Sequence, residues 1–256
     1  MNNLQNIEIN DFNNIVLNAW AEDFDTKTDN FSIPGTEINI KGNYKKKMAI
    51  VWKIGKRTIV NIHSDLKDDF DSFFKILPQN FSLDSDHIIS FFEDCKIEVN
   101  SFDDIYLLYP KDLKLIEPKE KEKYLIRKLT LEDKEVLDKM HSYCTEEEID
   151  NSFVEVDELG AWGCFDKEKN ILVSAVGFSD WGAFADFGII THPDYRGKGL
   201  AKSILSYAAN DAIRNENKLP IYRCHITLFS SLNTAKSVGF KIFKNLSYRQ
   251  DVLVFQ

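Results

Sequence analysis

Residues Asp194-Tyr195-Arg196-Gly197-Lys198-Gly199-Leu200-Ala201 constrain this chain more than any other stretch. A short apolar strand, Phe187-Gly188-Ile189-Ile190, leads in, and a helix over Ala201 to Asn217 leads out. Strand, basic glycine-rich turn and helix together form a cradle suited to a pyrophosphate. Main-chain N–H groups at a helix N-terminus point at the anion, and that end of the helix dipole is positive. Glycine lets the backbone approach closely and takes φ > 0 without steric cost. Leu200, Ile204 and Ala208 fall on one face of the helix, giving it an apolar side to bury.

The elements around the turn follow from the pattern. Tyr124 to Leu129 reads as a strand. Thr130 then opens a helix as N-cap, with Asp133 at the third helical position. A second helix is expected over Thr145 to Asp150. Ala161 to Phe165 and Ile171 to Phe178 are strands around the turn Asp166-Lys167-Glu168-Lys169-Asn170, and Phe184 to Thr191 is the strand before the glycine turn. Ile221 to Ile226 is another strand. Ser231 to Val238 is a short helix closed by Gly239, and the last strands lie within Phe240 to Phe255. The order is β-α-α-β-β-β-α-β-α-β, with a further strand at the end.

The stretch Glu117-Pro118-Lys119-Glu120-Lys121-Glu122-Lys123 holds no apolar residue and reads as a linker between two domains, or else as a solvated surface loop inside one. It divides the chain into an N-terminal domain, 1–118, and a C-terminal domain, 119–256. The N-terminal part reads as mixed α and β. Met48 to Trp52 and Thr58 to Ile62 form a hairpin around Ile54-Gly55-Lys56-Arg57. Phe70 to Leu77 is a helix stopped by Pro78, and Asp86 to Phe92 is another.

The net charge of −9 argues against a general nucleic-acid binder, which needs a basic face to displace counterions. Cys95, Cys144, Cys164 and Cys224 lack CxxC spacing and clustered histidines, so no metal is expected and the thiols are expected to be reduced. The N-terminus lacks a basic region followed by an apolar one. No apolar run approaches the ~20 residues of a membrane span. A cytoplasmic protein without a membrane partner is the expectation.

Arg196, Gly199 and Ala201 meet the Arg/Gln-x-x-Gly-x-Gly/Ala pattern, and Ser231, Ala235 and Gly239-Phe240 form a second block. With Arg127-Lys128-Leu129-Thr130 and Asp133 at the first strand and helix, residues from about 124 to 250 resemble the GNAT superfamily of acyl-CoA-dependent N-acyltransferases. The resemblance implies an α+β fold, a mostly antiparallel central sheet with one splayed strand pair, flanked by helices. It also implies acetyl-CoA, or another acyl-CoA, as co-substrate. The activity implied is N-acetylation of a small-molecule or peptide amine by direct attack in a ternary complex. By resemblance to two-domain relatives similar to glycine N-acyltransferases, the N-terminal domain, which lacks the motif, is a degenerate copy; an unrelated partner-binding or stabilising domain is the alternative.

Under this resemblance, the N–H groups of Gly197, Lys198, Gly199, Leu200 and Ala201 cradle the diphosphate. Arg196, Lys198 and Lys202 bring positive charge. Ile189, Ile190 and Thr191 pair with the pantetheine arm in a gap facing Cys224-His225-Ile226. Asp186 is the first candidate for the base, and it reads equally as a strand-edge carboxylate. His225 is the second candidate, and it reads also as a structural histidine. Where family members often carry an acidic residue, a Tyr and an Asn, this chain has Ala185, Ala235 and Leu228. Tyr222 or Tyr248 is a stand-in for the missing acid, and each reads also as a packing residue. Trp162, Trp181 and Phe184 line an acceptor pocket or fill the core. Glu146-Glu147-Glu148 reads as a solvated helix face, with attraction of a cationic amine as the alternative. A non-catalytic acyl-CoA-binding module is the competing reading.

Overall fold

Strand alternation and glycine placement account for most of the architecture. The structure is a computed structural model; it describes residues 4–42, 49–74, 99–242 and 251–255. The chain divides into two units that interleave in sequence: residues 1–12, 106–223 and 229–241 form one, and residues 13–105, 224–228 and 242–256 the other. Helix α1, Ile9–Asp23, runs across the division.

The division differs from the expected boundary at 118/119. Residues from Tyr106 onward join the first unit because Leu108 N donates to Pro220 O, Lys114 N to Val238 O and Ile116 N to Ser206 Oγ. The charged stretch lies within that unit, where Glu117 accepts from Tyr207 Oη. It is a surface segment, as its composition also allowed.

The second unit holds β1 (Gly35–Ile40), β2 (Ala49–Ile54), β3 (Arg57–Ile62), α2 (Lys67–Phe74), most of β4 (Val99–Leu107) and β11 (Asp251–Phe255). Its strand order is β1-β3-β2-β11-β4. The hairpin forms as the pattern predicts, with Gly55 at φ +60° in its turn. β11 pairs antiparallel with both β2 and β4. Trp20 stacks on Phe24, and both rings meet Trp52. The expected helix at Asp86–Phe92 lies outside the described residues, as do residues 75–77 of the one at Phe70–Leu77.

The first unit is built on β5 (Tyr124–Lys128), β6 (Gly160–Asp166), β7 (Ile171–Trp181), β8 (Phe184–Thr191) and β9 (Leu219–His225, of which Leu219–Arg223 belong here), in the order β9-β8-β7-β6-β5. The β5 to β8 neighbours are antiparallel, whereas β8 and β9 are parallel. Helices α3 (Lys134–His141) and α4 (Glu146–Ser152) cover one face. Leu137 and Met140 share a core there with Leu129, Ala161, Phe165, Ala175 and Ile190. Alternation sends Trp162 to the other face, where its Nε1 donates to Asp211 of α5 (Leu200–Arg214) and its ring meets Tyr207. Helix α6 (Phe229–Val238) packs against α5, and Gly239 at φ +119° ends it, ahead of the two-residue strand β10 (Lys241–Ile242). The capping box predicted at Thr130 and Asp133 is present. Asp133 also takes two bonds from Arg127, at 2.8 and 2.6 Å. The Arg127 guanidinium, more than any other neighbour, holds the Asp133 carboxyl down at about 2. Among the described residues no helix is long and apolar enough to cross a membrane.

Candidate functional site

The glycine turn is anchored from below. After β8, His192 N donates to Val173 O, and His192 Nδ1 accepts from Asp194 N. Tyr195 Oη donates to Asp166 at 3.0 Å in the interior. Burial alone would push the Asp166 carboxyl up; bonds from Lys169 N, Tyr195 Oη and Glu168 N outweigh it and leave the group below its ordinary range. A charged acceptor thus fixes the tyrosine that carries the turn.

Above this anchor, Gly197 and Gly199 adopt φ +75° and +79°. Gly199 caps α5 without a side-chain bond, and no acidic residue stands in the first helical turn. Among the described residues, the main-chain N–H groups of Gly197, Lys198, Gly199, Leu200, Ala201 and Lys202 donate to no protein group; the first bond of the helix is Ser203 N to Gly199 O. Lys202 folds back over the turn: a Cβ built on Gly199 would stand 3.0 Å from its Cε and 3.7 Å from its Nζ. Lys198 Nζ donates to Asp194 O and lies 4.3 Å over the Tyr195 ring. These six amides and two ammonium groups form an uncompensated positive site at the head of a 15-residue helix.

Arg196, expected as a phosphate ligand, is engaged by two protein groups in this structure. Its Nε donates to Thr191 O at 3.1 Å, and its terminal nitrogen pairs with Glu148 of α4 at 2.8 Å. Glu148 is therefore no simple solvated side chain. It closes a capping box with Thr145, and Arg196, followed by the Thr145 N–H, holds its carboxyl below the usual range.

The edge of β8 supplies the second element. Its pairing with β9 runs from Phe184↔Leu219 to Phe187↔Tyr222 and ends there, while its pairing with β7 continues to Thr191. Two bonds set the phase: His192 N reaches Val173 O on the β7 side, and Leu219 N reaches Ala183 O on the β9 side. Even-numbered residues of β8 therefore turn their main-chain groups to β7, and odd-numbered ones turn theirs to β9. Beyond Phe187, the N–H and C=O of Ile189 and the N–H of Thr191 lie on the strand edge along which the pairing with β9 has ended; Thr191 O is taken by Arg196. Ile190 differs from expectation. Its main chain serves β7, and its side chain fills the core under α3.

The candidate proton carriers are engaged elsewhere. Both oxygens of Asp186 accept from Arg223, with Nε at 3.1 and 3.4 Å and the terminal nitrogen at 2.5 Å. The guanidinium lies over the Trp181 ring at 5.3 Å. His225 belongs to the second unit, where its Nδ1 meets Thr227 Oγ1 at 2.7 Å and accepts from Thr227 N. Tyr222 Oη pairs with Ser231 Oγ inside the first unit, and Tyr248 lies outside the described residues. Trp181 meets Phe184 at the β7–β8 turn, but Trp162 is held against α5. Burial pushes the Cys164 thiol up to about 12, which suits a small buried hydrophobe. Glu148 and Arg223 were missed as site residues. The Thr145-x-x-Glu148 spacing signals the cap, but nothing local signals either ion pair.

The model of the acetyltransferase (GNAT) family matches residues 124–240. The sequence has no significant match among curated proteins. Three solved structures resemble the fold at a TM-score of 0.50. A Drosophila protein of 12% identity covers 81% of this chain and 73% of its own. A GCN5-related N-acetyltransferase from Sphaerobacter thermophilus, 9% identical, covers 67% and 56%. A functionally unknown conserved protein from Staphylococcus epidermidis, 11% identical, covers 75% and 78%. At these identities the likeness concerns the fold.

Proposed function

Since residues 124–240 form a GNAT acetyltransferase domain, we propose that the protein is an N-acetyltransferase that moves the acyl group of acetyl-CoA to a primary amine. The observation that carries this reading is the conjunction of the open amide ring at 197–202 with the unpaired β8 edge beside it. The amides and the ammonium groups of Lys198 and Lys202 hold the diphosphate. Ile189 and Thr191 offer the pantetheine arm a strand edge, so the arm adds to the sheet as a peptide strand would.

Acetyl-CoA supplies a thioester with an electrophilic carbonyl carbon. The Ile189 N–H, nearest the point where the strands part, faces the thioester oxygen and stabilises the charge that develops there. Both reactants are held in one complex, which removes most of the entropic barrier to their encounter. The neutral amine nitrogen bonds to the carbonyl carbon, the carbon–sulfur bond breaks with its electron pair going to sulfur so that coenzyme A departs as the thiolate, and the amine proton leaves to water. We assign that proton to neither Asp186 nor His225. Arg223 occupies both oxygens of the first. Nδ1 of the second is engaged by Thr227, through both its side-chain oxygen and its N–H.

A binding module without turnover is the second reading, favoured by the engagement of Asp186 and by the buried Ala235. Thiol release from acetyl-CoA across a panel of primary amines and amino-terminal peptides tests the two. Amine-dependent release supports the transferase. Calorimetric binding of acetyl-CoA with no release above the blank for any amine supports the module.

A further inference from the structure

Two acceptors from different elements converge on the Arg196 side chain: Thr191 O, the last carbonyl of β8 turned toward the splay, and Glu148 of α4. The other end of α4 rests on glycine. A Cβ built on Gly188 would stand 1.4 Å from Ser152 O, and one on Gly177 would stand 3.3 Å from Val154 Cα. The helix therefore lies against β8, gripped by Arg196 near its start and seated on bare backbone at its end. It has seven residues and ends at Phe153 with φ +50°, a conformation costly for a side-chain-bearing residue. A helix this short has little stability of its own. Its tether is what places it over the stretch of β8 that the acyl arm would use.

We propose that Arg196 is a positioning residue: it ties α4 to the glycine turn and to β8, and leaves the phosphates to the amides and lysines. The proposal rests on the acetyltransferase reading only for its consequence, a fixed roof over the acyl site. Arginine suits the task because its planar fork reaches two acceptors in different directions, which a lysine ammonium on a flexible stem cannot do.

The test compares the full-length protein with Arg196→Lys, Arg196→Gln and Glu148→Gln. Two quantities are measured: amide hydrogen exchange over residues 146–154 without ligand, and calorimetric affinity for acetyl-CoA. All three variants should speed exchange in that segment by about 5- to 10-fold, as loss of a local tether does. Exchange over β6 and β7 should not change, which reports an intact fold. Acetyl-CoA affinity should stay within about threefold in each variant, and the lysine variant should not recover protection despite its charge. Unchanged exchange in all three would overturn the tether. So would a tenfold or larger loss of affinity in Arg196→Gln, restored in Arg196→Lys, with tighter binding in Glu148→Gln; that pattern marks a phosphate ligand. Failure of the parent protein to bind acetyl-CoA would overturn the acetyltransferase reading instead, and the ligand-free exchange tells the two failures apart.

Discussion

Replacing Lys202 by Glu should stabilise the fold and destroy the cofactor site at once. Lys202 is the third residue of α5, whose first turn carries no acidic group and whose cap contributes no side-chain bond. A cation there opposes the helix dipole, and a carboxylate complements it. Each effect is worth roughly 0.3–1 kcal/mol, so the exchange should add about 1 kcal/mol. For a chain of this size that raises the melting temperature by about 2–4 °C. The same carboxylate would stand where we propose that the diphosphate binds. Two unit charges 4 Å apart interact by about 4 kcal/mol near a protein surface. Halving that for exposure and salt leaves roughly 2 kcal/mol, or about a 30-fold loss of acetyl-CoA affinity. Scanning calorimetry and titration calorimetry, each at low and at moderate salt, measure both quantities. A lower melting temperature, or an affinity within threefold of the parent, would refute the claim that this helix end is kept bare for an anion.

Three further outcomes are expected. The Asp133 carboxyl sits at about 2, against 3.8 in its ordinary state. Its stabilisation, roughly 2 kcal/mol, is therefore complete above about pH 4 and lost as pH falls toward 2; Asp133→Asn should remove that part of the acid dependence seen in denaturant melts. Gly188→Ala forces a methyl into the Ser152 carbonyl and must displace α4, so it should cost about 1–3 kcal/mol and speed exchange over 146–154; an unchanged melting temperature would contradict the close seating. Cys164, with its thiol held up near 12 by burial, should stay unmodified by iodoacetamide at pH 8 in the native protein, as peptide mass spectrometry would show.

Local signals carried far in this sequence. The glycine turn, the Thr130–Asp133 box and the Gly55 hairpin each declare themselves within a few residues, because their φ values and caps are decided by near neighbours. Long-range pairing left no such mark. Nothing near Arg196 announces Glu148, and nothing near Asp186 announces Arg223, since each partner arrives from another element. Asp186 thus reads as a free carboxylate in the sequence and is a partner in an ion pair in the fold. The interleaving of the two units was hidden for the same reason. β11 joins β2 and β4 across nearly the whole chain, and residues 106–117 attach to strands and helices far downstream. The roles within β8 needed the phase of its hydrogen bonds, which alternation of side chains alone does not set.

On the proposed function, the amides at the head of α5 grip the diphosphate of acetyl-CoA. Nitrogen-15 correlation spectra recorded during an acetyl-CoA titration would report this grip amide by amide. Large, saturable downfield shifts of the Gly197, Lys198, Gly199, Leu200, Ala201 and Lys202 amide protons are expected. Saturable binding with those signals unmoved would contradict that grip.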